Sequence, residues 1–133
     1  MKPIEHVEEI ITDSFGLWAT GLFSSIGSWN PIFSFDDRKD AFFGLIDRLL
    51  RDEKIKFIAP GLDCYVSPEN PNPRYTIYDK EAHWSDVPEV IVENLRSQWP
   101  EGARDENDLD LMTYFYSIPG IVWVGDDGSL VVS

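Results

Sequence analysis

The chain has 133 residues, with 11 basic and 24 acidic side chains for a formal net charge of −13. That length fits one domain of residues 1–133 with room for one real core. A hydrophobic fraction of 43% and an aromatic fraction of 14% exclude a generally disordered chain. The negative surface repels phosphates, so no nucleic-acid partner is expected. The same field attracts basic partners and speeds encounter with them.

Cys64 is the lone cysteine, which excludes an internal disulfide and predicts a core or strand position for its thiol. The N-terminal run has acids where a signal peptide needs bases. No window approaches the roughly 20 apolar residues that span a bilayer. A cytoplasmic protein with no membrane partner is expected.

Ile4, Val7, Ile11, Phe15, Trp18 and Leu22 recur at steps of three and four, predicting one helix along this stretch. Gly16 and Gly21 weaken its second half, and residues 24–31 read as a connector. A second helix is predicted from Ser34 or Asp36 to about Glu53, with Phe42, Phe43, Leu45, Ile46, Leu49 and Leu50 as its apolar face. Ile55 and Phe57 then alternate with lysines as a strand that Pro60-Gly61 ends. Residues 64–66 and 75–78 are predicted as short strands around a proline-rich loop.

A third helix is predicted from Ser85 or Asp86 to Trp99, burying Val87, Val90, Ile91, Leu95 and Trp99. A fourth starts near Asn107 and uses Leu109, Met112, Phe115 and Tyr116. Residues 121–124 and 130–132 flank Gly125-Asp126-Asp127-Gly128-Ser129 as a β-hairpin. The expected fold is α+β, with about four helices on one face of a small, mainly antiparallel sheet. Charge is uneven: residues 1–62 hold 7 bases and 10 acids, residues 63–133 hold 4 bases and 14 acids.

Motifs for phosphate, dinucleotide or zinc-protease chemistry are absent, as is a serine nucleophile elbow. His6 reads as a surface residue. His83 lies near Glu81 and Asp86, so a small metal-dependent hydrolase centred on His83 stays open as an alternative. Helix-start chemistry explains Asp86 equally well. Asp126 and Asp127 fit hairpin-turn chemistry. No catalytic, cofactor or metal residue is assigned. Glu101, Asp105, Glu106, Asp108 and Asp110, opposed by Arg104 alone, form the densest acidic stretch and the first partner-binding candidates. Trp84 is a candidate anchor, because tryptophan is enriched at interface hot spots.

The run 42–50 leading into 54–58, the helix end 90–100, and above all the tail from Pro119 to Leu130 resemble a small bacterial domain family of unassigned biochemistry. Members of that family are associated with contact-dependent growth inhibition loci as immunity proteins. The resemblance covers most of residues 36–133 and its motifs are structural, so no binding residue is carried over. It implies a non-enzymatic protein that neutralises a cognate toxin domain, expected to be a nuclease, by forming a stoichiometric complex. A basic nuclease cleft and an acidic inhibitor are complementary. An adaptor domain binding a basic host protein is the further alternative. Oligomeric state is not specified.

Overall fold

In the computed structural model, which describes residues 3–62, 64 and 67–132, the elements follow the expected order with two revisions at the N-terminus. The first apolar stripe is two helices, α1 (Val7–Ser14) and α2 (Ala19–Trp29). Gly16 breaks them apart: its φ is +81°, a left-handed conformation that glycine adopts without a Cβ penalty. The 24–31 connector is therefore mostly helix, since α2 runs on to Trp29. Asn30 fixes the corner. It is buried, and its amide donates to the carbonyls of Glu5 and Ile26 at 3.1 Å while its Oδ1 accepts from the Glu5 N–H at 3.0 Å.

Helix α3 (Phe35–Arg51) is the central element, and its start is specified locally. Ser34 accepts from the Asp37 N–H at 3.1 Å and Asp37 accepts from the Ser34 N–H at 3.0 Å. This reciprocal capping box satisfies two of the orphan donors at the helix start. Its end uses a Schellman closure, with Lys54 N–H bonding the Leu49 carbonyl at 2.9 Å and Glu53 N–H bonding Leu50 at 3.1 Å. Glu53 takes the left-handed position, at φ 57°, where glycine is the usual occupant.

A three-stranded antiparallel sheet follows, ordered β1 (Ile55–Phe57), β2 (Ile121–Val124), β3 (Leu130–Val131). Ile55 pairs with Trp123 and Phe57 with Ile121, so these four inward side chains share one face. The free edge of β1 is covered rather than open. Trp84 N–H donates to the Phe57 carbonyl at 2.8 Å and Ala59 N–H to that of Ala82 at 2.7 Å. The hairpin turn closes with Gly125 N–H to Ser129 O at 2.8 Å, and Gly128 sits at φ +85°.

Residues 75–78 are a turn, not the expected strand. Asp79 accepts from the Thr76 N–H at 2.7 Å, a local side-chain bond that competes with a ladder. Of the other expected strand, only Cys64 lies within the described residues; it is partly exposed. His83 follows a short 3-10 turn, Lys80–Ala82.

Helices α4 (Pro88–Ser97) and α5 (Leu109–Ser117) complete the fold. On α4, Ile91 and Leu95 are buried and Trp99 just beyond it is too, but Val87 and Val90 face outward. The revision on α5 is larger. Its inward residues are Leu111, Tyr114 and Phe115, with Ile118 beyond them, whereas Leu109, Met112 and Tyr116 are exposed. Two apolar registers overlap on this helix, and the longer one takes the core. That core is an aromatic cluster of Phe23, Phe42, Phe43, Trp99, Tyr114 and Phe115, with neighbouring ring centroids 5.2–6.2 Å apart. Most of these pairs are tilted or edge-on, the arrangement that the ring quadrupoles favour.

The acidic loop between helices four and five

Each carboxylate of the acidic stretch occupies a defined position around the start of α5. Asp108 is its N-cap, accepting from the N–H groups of Asp110 and Arg104, each at 3.2 Å. Asp105 accepts from the Asn107 N–H at 2.8 Å. These three bonds complete the loop's own backbone, as short acidic side chains do in turns.

Glu106 is turned toward the body of the protein. Its Oε1 accepts from the Arg38 guanidinium at 3.2 Å and from the Ser24 hydroxyl. Arg38 lies over the Phe23 ring, 4.5 Å from its centroid, and against Gly27. A Cβ on Gly27 would lie 2.6 Å from Arg38 Nε, so the glycine is what admits the guanidinium. This arrangement joins α2, α3 and the acidic loop. Sequence reasoning missed it, because Arg38 and Glu106 stand 68 residues apart and no local signal links them.

Glu101 and Asp110 are exposed. Lys39 of α3 stands over Trp99, 5.6 Å from its centroid, and the two bases within residues 86–110 are engaged. Arg104 donates to the carbonyls of Glu101 and Ala103 at 3.3 and 3.2 Å. Arg96 lies over Phe43, 4.9 Å from the centroid, with Asp40 at 4.0 Å. Residues 86–110 hold eight acids and these two bases, so the stretch presents a net negative surface. Such a surface steers a cationic partner toward it.

Trp84 stands elsewhere. It packs edge-on against Phe57 at 6.4 Å and donates its indole N–H to Asp86 at 2.8 Å. It precedes α4 and the acidic loop follows it; ten helical residues rise about 15 Å. Asp105, Asp108 and Asp110 thus lie at the start of α5, Glu106 turns back onto Arg38, Glu101 follows the end of α4, and Trp84 lies at the opposite end of α4. His83 bonds the Ile77 carbonyl through Nε2 at 2.6 Å. Among the described residues no group of three or more His, Cys, Asp or Glu side chains is placed to hold a metal ion. The His83 bond fastens the loop that carries Ile77.

Tyr114 anchors the loop's other boundary. Its hydroxyl donates to the Leu95 carbonyl at 2.6 Å, and burial pushes its phenol well above the ordinary tyrosine range. Helix α5 is thereby tied to α4. Trp18 donates its indole N–H to the Phe115 carbonyl at 2.6 Å, which ties the C-terminal part of α5 to the start of α2. With Ser24 at Glu106, these bonds set α2 and α5 antiparallel.

Among the described residues, no helix is long and apolar enough to cross a membrane. The five α-helices and small antiparallel sheet of the described residues define an α+β protein. No family model matches the chain, and no curated protein matches it. A solved structure of an uncharacterized protein conserved in bacteria, from Neisseria meningitidis, is similar to it at a TM-score of 0.64 and 21% identity. The match covers 95% of this chain and 85% of that one. At that identity the likeness carries the fold alone.

Proposed function

We propose that this protein is a cytoplasmic immunity protein, which binds and neutralises a cognate bacterial toxin domain through its acidic surface. The observation that supports this reading most is the one-sided charge of residues 86–110, whose two arginines are both engaged within the fold. A toxin that cleaves nucleic acid needs a basic cleft to hold phosphates. Carboxylates presented on a rigid frame can occupy such a cleft and exclude its substrate. Inhibition of this kind is stoichiometric and requires no catalytic residue or cofactor in the inhibitor.

The roles of the acids differ within this reading. Glu101 and Asp110 supply the free charge; Asp105 and Asp108 hold the loop while adding to its field. Glu106 fixes the loop to α2 and α3. Trp84, at the other end of α4 about 15 Å away, lies within the breadth of one interface and is a candidate anchor for it. An interface of standard size, about 1,200–2,000 Å² in total, fits on a domain this small.

The test is to mix the purified protein with the product of the open reading frame immediately upstream of its gene, which this reading expects to be the toxin domain. A 1:1 complex is expected, with an association rate that falls steeply as salt rises. Absence of a complex at low ionic strength overturns the proposal. A complex whose association rate is indifferent to salt removes the electrostatic part of it.

A further inference from the structure

The outward side of α5 carries a feature that neither the core nor the acidic loop explains. Leu109, Met112 and Tyr116 are 74%, 41% and 73% exposed. Their spacing of three and then four residues puts them on one line along the helix, opposite the buried Leu111, Tyr114 and Phe115. The line is about 10 Å long at 1.5 Å per residue. Single exposed apolar side chains are ordinary, but a row of them is a candidate contact surface. Tyrosine and methionine are both enriched at the centres of interfaces.

We infer that this stripe is the apolar anchor of an interface whose occupant is a cationic protein surface. The inference rests on the binding reading above and assigns that interface its central residues. Charge identifies the occupant. The stripe begins at the end of the acidic loop, with Asp108 capping the helix and Asp110 in its first turn. Among the described residues 98–118, Arg104 is the one base, and it is bonded to its own loop. A second copy of this chain, carrying the same net charge of −13, would be repelled by this face. A basic partner gains the attraction that a second copy loses.

Shape supports the same assignment. Beside the stripe, where the end of α4 meets α5, lies a hollow of about 290 Å³ lined by Gln98, Pro100, Asp110, Thr113 and Ser117. Tyr116 itself borders a second hollow of similar volume, with Trp18, Leu62 and Pro119. Tyr116 walls one depression, and Gln98 and Ser117 line both, so a partner gripping the tyrosine meets recesses to fill on one side of it. Polar groups at the rim and an apolar centre are the usual division of labour in such contacts.

The test uses the full chain, with the product of the upstream open reading frame as the probe. Tyr116→Ala is expected to raise the Kd at least about tenfold, chiefly through faster dissociation. Leu109→Ser, Met112→Gln and Tyr116→Ala combined are expected to abolish measurable binding. Circular dichroism and Tm measured on each variant establish that the fold is intact. Ile32→Ser, at an 80% exposed position between α2 and α3, is expected to leave the Kd unchanged. Wild-type affinity in the triple variant overturns the assignment while leaving the binding reading standing. No binding by the wild-type protein overturns both. A dimer of the free wild-type protein in analytical ultracentrifugation, lost in the triple variant, assigns the stripe to a second copy and overturns the cationic occupant.

Discussion

The two sides of α5 have nearly the same chemistry and opposite surroundings. Inward, Leu111, Tyr114 and Phe115 are buried among the rings of Phe23, Phe42 and Trp99; outward, Leu109, Met112 and Tyr116 meet solvent beside a carboxylate-rich loop. Apolar character alone therefore does not assign a role. The inward side stabilises the fold by leaving water. The outward side leaves its apolar surface in water, and the occupant proposed for it is a cationic partner.

The largest effect that separates the two sides comes from matched truncations. Phe115→Ala removes a buried ring from the centre of the aromatic cluster and is expected to cost about 3–5 kcal/mol in denaturant unfolding. Tyr116→Ala, one residue on, is expected to stay within about 0.5 kcal/mol of wild type. Equal losses at both positions would break the distinction.

Next in size is Gly27→Ala. Its new Cβ would lie 2.6 Å from Arg38 Nε and 2.7 Å from Cζ, so the guanidinium must move off Glu106. A net loss of about 1–2 kcal/mol is expected, after the helix propensity gained by alanine is set against the broken charged hydrogen bonds. A stability equal to or above wild type would show that the Arg38–Glu106 contact does not hold the acidic loop.

Tyr114→Phe tests the tie between α4 and α5. It removes the 2.6 Å hydrogen bond to the Leu95 carbonyl and is expected to cost about 1 kcal/mol at neutral pH. Burial raises the folded-state pKa of this phenol. Its contribution is therefore fully present below the unfolded tyrosine pKa of about 10 and declines as pH rises above that value, because the unfolded state ionises first. Phenylalanine cannot ionise, so the variant should lose less stability between neutral and alkaline pH than wild type does. An identical alkaline slope would contradict this.

The smallest effect has the opposite sign. Glu53→Gly relieves a non-glycine residue at φ 57° in the Schellman closure of α3. A gain of about 0.5–1 kcal/mol is expected in the same unfolding measurement. A loss would mean that the glutamate side chain compensates its backbone conformation.

Local chemistry made some of these elements legible in the sequence. Ser34 and Asp37 announce the start of α3, and Gly125 to Ser129 announce the hairpin, because caps and turns are set by residues next to one another. The break between α1 and α2 was harder to read: the apolar spacing continues across Gly16, and only the positive φ of that glycine reveals the corner. On α5, a periodic pattern could not say which of two apolar lines faces the core, since tertiary packing decides that. The acidic stretch was visible as composition, but the inward turn of Glu106 depends on Arg38, which is remote in the chain and close in space. Trp84 was conspicuous by residue type, and its place at the far end of α4 follows from the fold.

Amide hydrogen exchange measured with and without the toxin domain proposed as the partner tests the central claim most directly. Slower exchange is predicted in residues 98–117, spanning the acidic loop and α5, with α1 unchanged. Protection confined to α1 and the hairpin turn, with residues 98–117 exchanging as in the free protein, would contradict the account.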